Sequence, residues 1–169
     1  VEDKAKRKIR ILVVDDSEVV RVLLKAIFEY EDDMEVIATA ENGQEAIQKA
    51  HELKPDVITM DIRMPVLNGF EAIKAILKEQ SIPILVVSGA VDDEDVKVAF
   101  RALEVGALGV VEKPKIITET NFRCIGKDLV VAVRNVVELC PCIIPPHIIK
   151  PVVGKKLFKL PAKYKIVVL

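Results

Sequence analysis

The sequence lacks the features of a membrane-embedded or secreted protein. Its 169 residues contain no apolar stretch near the roughly 18 residues that a membrane-spanning helix needs, and its N-terminus is charged rather than apolar. Its three cysteines are odd in number, so they do not form a disulfide framework. Basic and acidic residues almost balance, at 25 and 26, which favours neither nucleic acid nor a membrane surface as a partner. We therefore expect a cytoplasmic protein.

A cysteine-based metal site is also not expected. Cys140 and Cys142 could form half of a zinc site with His147. A structural zinc ion takes four ligands, and no fourth candidate stands nearby in the sequence. Ordinary thiols in a linker are the favoured interpretation.

Four apolar runs are each followed closely by polar residues that can do chemistry. Runs of this length are typical of strands that are covered on both faces of a sheet. The runs occupy 11–14, 57–60, 84–87 and 108–111, and the polar residues after them are Asp15 with Asp16, Asp61, Ser88 and Lys113. Because an open α/β sheet places its site outside the carboxyl ends of its strands, these side chains should meet at one edge. Three carboxylates, a hydroxyl and an ammonium gathered there can bind a divalent cation and handle a phosphoryl group.

Between the runs, apolar residues recur at intervals of three and four, which predicts helices with one buried face. Asn42 followed by Glu45 resembles a capping box at the start of the second helix. The third helix is predicted to begin near Asn68, and the fourth near the acidic residues 92–95. The remaining predicted elements are a first helix over 19–28, a fifth helix over 122–137 and a short strand over 35–40. Five βα units predict an α/β fold whose parallel sheet has right-handed crossovers and helices on both faces.

Five segments together resemble the receiver domain of two-component response regulators. They follow that family's order and spacing over roughly residues 8–138. The segments are VVDDS at 13–17, TMDIRMPVLNG at 59–69, VSG at 87–89, EVGA at 104–107 and EKP at 112–114. The resemblance implies a doubly wound, flavodoxin-like sheet of five parallel strands in the order 2-1-3-4-5.

Within that family, the chain is similar to the receiver of the chemotaxis protein-glutamate methylesterase. The segments that carry this similarity are DMEV at 33–36, ITMDI at 58–62 and RALE at 101–104. In addition, YKIVVL at 164–169 resembles the first strand of the methylesterase domain. The resemblance implies a receiver that regulates an output domain absent from this chain, with the parent gene continuing past Leu169. The chain itself is then regulatory rather than an enzyme, and only accepts and loses its own phosphoryl group.

The resemblance makes Asp61 the phosphoacceptor and Mg²⁺ the cofactor. The Asp61 carboxylate would attack phosphorus in a phosphohistidine or a small acyl phosphate and form an aspartyl phosphate. Mg²⁺ prefers oxygen ligands and would take Asp16, Asp61 and the backbone carbonyl of Arg63, with Asp15 beside them. A histidine kinase or its phosphotransfer domain would be the donor.

Lys113 and Ser88 are predicted to act on the phosphoryl group more than on the metal. Lys113 would pair with phosphoryl oxygens as a compact positive charge, and the Ser88 hydroxyl would hydrogen-bond the same group and turn inward. The resemblance also implies a cis peptide bond between Lys113 and Pro114 that aims the lysine inward.

The output is expected to pass through the fourth helix, the fifth strand and the fifth helix, to an output domain, a partner protein or a second copy in a homodimer. Many receivers carry an aromatic switch residue three positions before the lysine, where this chain has Val110. A β-branched aliphatic side chain cannot make the same swing. The signal is therefore expected to travel through loop and backbone movement or through dimer contacts.

Composition divides the chain into three regions. Residues 1–8 are a charged N-terminal segment, 9–138 the receiver domain, and 139–169 a linker rich in proline and lysine that begins the missing output domain. The last 29 residues hold six lysines and no acidic residue, which favours a solvated connector. Alternatively, the isoleucines of this region pack on the receiver while 166–169 offer a strand to a partner. Nothing resembles a helix-turn-helix, so DNA binding is not expected on this chain.

Other functions stay open beside this one. A free-standing receiver would signal only by binding a partner, as in chemotaxis. A haloacid-dehalogenase phosphatase also uses an aspartate after a strand, but it needs a second aspartate two residues later, where Arg63 stands. The segment HELKP at 51–55 resembles a histidine kinase's phosphoacceptor box only superficially, because its proline comes one residue too early. A solvated histidine at a helix end is the favoured interpretation of His51.

Overall fold

The computed structural model of the chain describes residues 7–89, 93–114 and 126–139, with the backbone alone at 93–96 and 139. Among these residues, no helix is long and apolar enough to cross a membrane. The expectations for residues 1–6, for position 92, for 122–125 and for the linker with its cysteines lie outside the described residues.

Five strands and five helices alternate along the chain. The strands are β1 (Ile9–Val14), β2 (Met34–Ala40), β3 (Val57–Met60), β4 (Ile84–Ser88) and β5 (Gly109–Glu112). The helices are α1 (Glu18–Glu29), α2 (Gly43–Leu53), α3 (Gly69–Glu79), α4 (Asp93–Glu104) and α5 (Lys127–Leu139). All strand pairs are parallel, and the sheet order is β2-β1-β3-β4-β5. The predicted fold class and strand order are confirmed.

The sheet buries one apolar core on each face. Alternate side chains of β1 enter opposite cores, Leu12 and Val14 on one face and Ile11 and Val13 on the other. Residues of α2, α3 and α4 close the first core, and residues of α1 and α5 close the second. The continuous apolar runs of the sequence follow from this, because both faces of the central strands are covered.

Asparagine caps fix the start of two helices at the carboxyl edge of the sheet. Asn42 Oδ1 accepts a hydrogen bond from the N–H of Glu45 at 2.9 Å, and Glu45 Oε2 accepts one from the N–H of Glu41 at 2.8 Å. Asn68 Oδ1 accepts from the N–H of Glu71 at 3.1 Å. Each cap satisfies a backbone donor that the helix itself leaves free. The predicted starts of α2 and α3 are confirmed.

The loop between β3 and α3 is tightly constrained. Val66 has a φ of 66° while its side chain is 83% exposed, and the N–H of Leu67 donates to Pro65 O at 2.7 Å. A β-branched residue in this left-handed region is strained. At the end of the loop, a Cβ on Gly69 would lie 2.1 Å from the carbonyl oxygen of Asp61. Only glycine fits there, so α3 begins directly against the backbone of Asp61.

Candidate functional site

The sheet register brings the predicted site residues to one edge. The N–H of Asp15 donates to Ala40 O at 3.0 Å, and the N–H of Asp61 donates to Val14 O at 2.9 Å. Each aspartate therefore follows its strand while its backbone is still hydrogen-bonded to the neighbouring strand. On the other side, the N–H of Lys113 donates to Ser88 O at 2.6 Å. Strand pairing alone thus gathers residues that are far apart in sequence.

Three carboxylates form the centre of the site. Asp15, Asp16 and Asp61 each offer one carboxylate oxygen, and these oxygens lie within 4.8 Å of one another. Asp15 and Asp61 are buried, at 0% and 4% exposure, whereas Asp16 is exposed. Ser88, at the end of β4, is 8% exposed. The cluster is open to solvent on the side of Asp16, which leaves a path of entry for an ion or a ligand.

Both carboxylate oxygens of Asp61 accept hydrogen bonds from the protein. Its Oδ1 accepts from the N–H of Ile62 at 2.7 Å and, more weakly, from the N–H of Arg63 at 3.4 Å. Its Oδ2 accepts from Lys113 Nζ at 2.9 Å. These contacts leave the carboxylate little freedom to rotate, so its orientation is set by the structure itself.

Lys113 bridges the carboxylates of Asp15 and Asp61. Its Nζ lies 2.7 Å from Asp15 Oδ2, which makes an ion pair. One ammonium is thus shared by two carboxylates, since Lys113 Nζ also lies 2.9 Å from Asp61 Oδ2. A carboxylate oxygen has two lone pairs, so Asp15 Oδ2 keeps acceptor capacity beside Lys113 that is available to a cation.

Burial and pairing oppose each other at Asp15 and at Lys113, and the pKa of both groups is raised. Burial raises the pKa of the Asp15 carboxyl, and the contacts with Lys113 and with the N–H of Ser17 offset this only in part. Burial by itself would lower the pKa of Lys113, but its contacts with Asp15 and Asp61 outweigh burial and raise it. The lysine is therefore firmly protonated, and it supplies the positive charge that keeps two adjacent carboxylates together.

The donor set fits a hard divalent cation such as Mg²⁺. All three candidate ligands are carboxylate oxygens, and such oxygens are what Mg²⁺ and Ca²⁺ prefer. The buried Oδ2 of Asp15 is paired with Lys113 alone among the contacts described above, and its second lone pair can accept a cation. The sequence-based choice of Asp15, Asp16 and Asp61 as a group is thus matched by their positions.

One expectation for the site is wrong. No peptide bond in the described part of the chain is cis, which includes the bond between Lys113 and Pro114. The lysine nevertheless reaches Asp15 and Asp61, because pairing of β5 with β4 already directs it toward the carboxyl edge. A cis bond is not needed to aim it.

Arg21 is a site residue that the sequence reasoning missed. Its Nη1 donates to the backbone carbonyls of Asp15 at 2.7 Å and Asp16 at 3.0 Å. The spacing of six and five residues, with the arginine one turn into a helix, is the signal that could have indicated this contact. Apolar periodicity gave the helix its position but said nothing about a polar side chain that folds back on the preceding loop.

Known proteins are similar in sequence to the region that contains the site. Residues 11–120 match the response regulator receiver domain family. The chain is 43% identical over 131 residues to protein-glutamate methylesterase/protein-glutamine glutaminase 2 of Methanospirillum hungatei, covering 78% of this chain and 37% of that protein. It is 42% identical over 135 residues to the methylesterase/glutaminase of Thermotoga maritima, covering 80% and 39%. The chain thus spans less than two fifths of the length of these relatives.

Solved structures agree with the sequence comparison. The response regulator domain of Thermotoga maritima CheB is 41% identical, with a TM-score of 0.68, over 78% of this chain and 98% of that one. A chain in the structure of the P1 domain of CheA3 in complex with CheY6 from R. sphaeroides is 30% identical, with a TM-score of 0.65 and the same coverage. With this fold, these identities and the five motifs in order, the chain belongs to the response regulator receiver domain family of two-component signalling and is similar to the receiver of CheB.

Proposed function

We propose that this receiver accepts a phosphoryl group on Asp61 from a histidine kinase or its phosphotransfer domain. The observation that carries the proposal is the fixed carboxylate of Asp61, buried and held by Ile62 and Lys113 before any donor arrives. One carboxylate oxygen attacks phosphorus in the donor phosphohistidine. The P–N bond breaks, the imidazole nitrogen keeps the electron pair and takes up a proton, and an aspartyl phosphate remains. Pre-orientation of a reacting group lowers the entropic part of such a barrier.

Asp15, Asp16, Asp61 and the backbone carbonyl of Arg63 would hold Mg²⁺. The bound ion would offset the negative charge that otherwise opposes approach of an anionic donor to three carboxylates. Asp15 contributes a buried oxygen that it shares with Lys113, and Asp16 contributes the exposed side of the cluster. Two of the three carboxylates thus bind and orient, while Asp61 also reacts.

Lys113 and Ser88 would act on the phosphorylated state. The ammonium now pairs with Asp15 and Asp61, and after transfer it would pair with the phosphoryl oxygens that replace the lost carboxylate charge. The backbone carbonyl of Ser88 accepts a hydrogen bond from the N–H of Lys113, so the two residues are neighbours on adjacent strands. The Ser88 hydroxyl would donate a hydrogen bond to the same phosphoryl group. The phosphoryl group thereby acquires partners on β4 and β5, the two strands that lie farthest from β2.

The regulated output is proposed to be a methylesterase domain. The relatives from Methanospirillum hungatei and Thermotoga maritima are named as methylesterases, and this chain matches little more than a third of each. We take residues 9–138 as the receiver, 1–8 as a preceding segment and 139–169 as the linker and start of the output domain. On this proposal the chain is a regulatory unit whose own chemistry is limited to gaining and losing one phosphoryl group.

The surface made by α4, β5 and α5 is the proposed contact with the output domain, a partner protein or a second copy. Leu108, just before β5, is 39% exposed and offers an apolar contact on this surface. Val110 on β5 is half-buried and packs against the core that α4 helps to close. A shift at Ser88 would reach this surface directly through the pairing of Ser88 with Glu112.

A free-standing receiver is the second candidate. It is favoured by the likeness to a chain in the complex of the CheA3 P1 domain with CheY6. The phosphatase alternative has less support, because Arg63 occupies the position where a second aspartate would act as general acid.

Intact mass after incubation with acetyl phosphate tests the proposed reaction. We expect one phosphoryl group to be added in Mg²⁺, and none in excess chelator or in Asp61→Asn. Asp32→Asn is the matched control, since it makes the same chemical change at an exposed position outside the site. An added phosphoryl mass that persists in Asp61→Asn, or that forms equally in chelator, would contradict the assignment of Asp61 as the Mg²⁺-dependent phosphoacceptor.

A further inference from the structure

We propose that Arg21 is a positioning residue, which sets the metal-ligating carboxylates of Asp15 and Asp16 by holding the backbone between them. This inference rests on the proposed metal site. A single nitrogen, Arg21 Nη1, donates to Asp15 O at 2.7 Å and to Asp16 O at 3.0 Å. Hydrogen bonds from a charged donor are stronger than those between neutral groups. The guanidinium therefore fixes two consecutive peptide units at once.

The backbone at these two residues has few other constraints. β1 ends at Val14 and α1 begins at Glu18, so both carbonyls lie between the ladder of the sheet and that of the helix. The backbone N–H groups of this stretch donate from Asp15 to Ala40 O, and from Ser17 to Asp15 Oδ1 at 2.9 Å. Since the direction of a side chain follows its backbone, a clamp on the two carbonyls sets where both carboxylates point.

Arg21 is itself anchored by the first turn of α1, and its charge also acts on α2. Its own N–H donates to Ser17 O at 3.0 Å, which anchors it in the first turn of α1. On α2, Lys49 and the N–H of Glu41 lower the pKa of Glu45, and the nearby charge of Arg21 adds a smaller effect in the same direction. The guanidinium thus reaches back from the first turn of α1 to the loop of Asp15 and Asp16.

Charge and positioning predict opposite results when Arg21 is removed. Loss of a positive charge close to the carboxylates would by itself favour a bound cation and tighten binding. Loss of the clamp would let the carboxylates spread and would weaken binding, as is typical when a residue behind a metal ligand is changed. The sign of the change therefore separates the two roles.

Metal affinity is measured with Mn²⁺ by electron paramagnetic resonance, followed by displacement with Mg²⁺. For Arg21→Ala we expect roughly a 10- to 100-fold loss of affinity. Arg21→Lys keeps the charge, but its Nζ ends one bond short of the position of Arg21 Nη1, so we expect an intermediate loss. Arg10→Ala is the matched control. Arg10 also donates to two consecutive carbonyls, those of Leu53 and Lys54, but at the far end of the sheet, and its removal should leave affinity unchanged.

The second measurement needs no metal. Hydrogen exchange of the Ser17 amide, followed in chelator, should be at least about tenfold faster in Arg21→Ala than in wild type or Arg10→Ala. Unchanged or tighter Mn²⁺ binding in Arg21→Ala, or unchanged exchange at Ser17, would overturn the positioning role. If wild type itself binds no Mn²⁺, the proposed metal site fails, and the exchange experiment still decides whether Arg21 orders the loop.

Discussion

Two clusters in this receiver each place two carboxylates around one cation, and they differ in how completely the carboxylates are satisfied. Beside α5, Arg134 reaches Glu31 Oε2 at 2.6 Å and both oxygens of Asp33, at 2.7 and 2.9 Å. This cluster is only half-buried, and the carboxylates raise the pKa of Arg134 still further, with the contact to Asp33 as the largest cause. Each carboxylate already has the cation that it needs.

At the carboxyl edge of the sheet, the same ingredients are arranged with both carboxylates buried, at 0% and 4% exposure. Lys113 Nζ lies 2.7 Å from Asp15 Oδ2 and 2.9 Å from Asp61 Oδ2, so one ammonium serves two carboxylates that are removed from solvent, and lone pairs on their oxygens stay unsaturated. Burial is the largest influence on the pKa of Asp15 and raises it. The saturated cluster around Arg134 therefore ties elements of the fold together, whereas the buried and unsaturated cluster around Lys113 keeps an acceptor available for a ligand.

The largest effect is expected from a substitution at Gly69, which packs tightly against the backbone of Asp61. Gly69→Ala would place a Cβ 2.1 Å from the carbonyl oxygen of Asp61, where backbone rather than a flexible side chain must move. We expect the free energy of unfolding to fall by about 3 kcal/mol, measured by urea denaturation followed by circular dichroism. Gly89→Ala is the control, because nothing lies within 4 Å of its added Cβ. Equal losses in the two variants would contradict the contact.

The next effect tests the buried carboxylate of Asp15. Asp15→Asn keeps an acceptor for the N–H of Ser17 but removes a buried charge, so in chelator at pH 7 we expect about 1–2 kcal/mol of stabilisation. Metal binding should be lost in the same variant. A gain of stability together with a loss of ligand binding is typical of a site that is kept strained for function. Destabilisation of Asp15→Asn would show that the ion pair with Lys113 outweighs the cost of burying the Asp15 charge.

The pH dependence of stability in wild type and Asp15→Asn gives a further test of the Asp15 carboxylate. Folding raises the pKa of Asp15 above its ordinary value of 3.8, so the folded protein holds this proton more strongly than the unfolded chain. The contribution of Asp15 to stability therefore declines as pH rises through and above that value, up to the raised pKa. Thermal unfolding of wild type and Asp15→Asn in chelator should diverge with rising pH. Parallel curves would contradict the direction of the shift.

A smaller effect is expected from relieving strain in the loop after Asp61. Val66→Asn places a residue that tolerates the left-handed region at a φ of 66°. The Val66 side chain is 83% exposed, so little burial is lost and we expect a gain of about 1 kcal/mol in the free energy of unfolding. The comparison with Val19→Asn, an equally polar change at an exposed helical position, separates relief of strain from removal of an exposed apolar group. Similar gains in both variants would argue against strain.

The smallest effect is expected at the saturated cluster. Arg134→Ala should lower the free energy of unfolding by less than about 1 kcal/mol, because the pair is about a third exposed and screened by solvent. Phosphorylation with acetyl phosphate and Mg²⁺ affinity should stay within twofold of wild type. A large loss of either would show that the two clusters are coupled.

Local patterns predicted most of the fold but not the contacts inside the site. The apolar runs and the asparagine caps at Asn42 and Asn68 are signals within a few residues of each other, and the strands and helix starts followed from them. The carboxylate cluster was predictable because strand ends meet at one edge. The position of Lys113 between Asp15 and Asp61, the trans bond before Pro114 and the clamp by Arg21 depend on side-chain directions in three dimensions. Spacing along the chain does not fix those directions.

A titration of the ¹⁵N-labelled protein with Mg²⁺, followed by amide chemical shifts, tests both clusters in one experiment. We expect saturable shifts at the amides of Asp15, Asp16, Ser17, Asp61 and Arg63. No shifts of comparable size are expected at Glu31, Asp33 or Arg134, where the acidic and basic groups are already paired with one another. Shifts centred on Glu31 and Asp33, with the Asp15 and Asp61 loops unmoved, would contradict the claim that the unsaturated cluster is the ligand site.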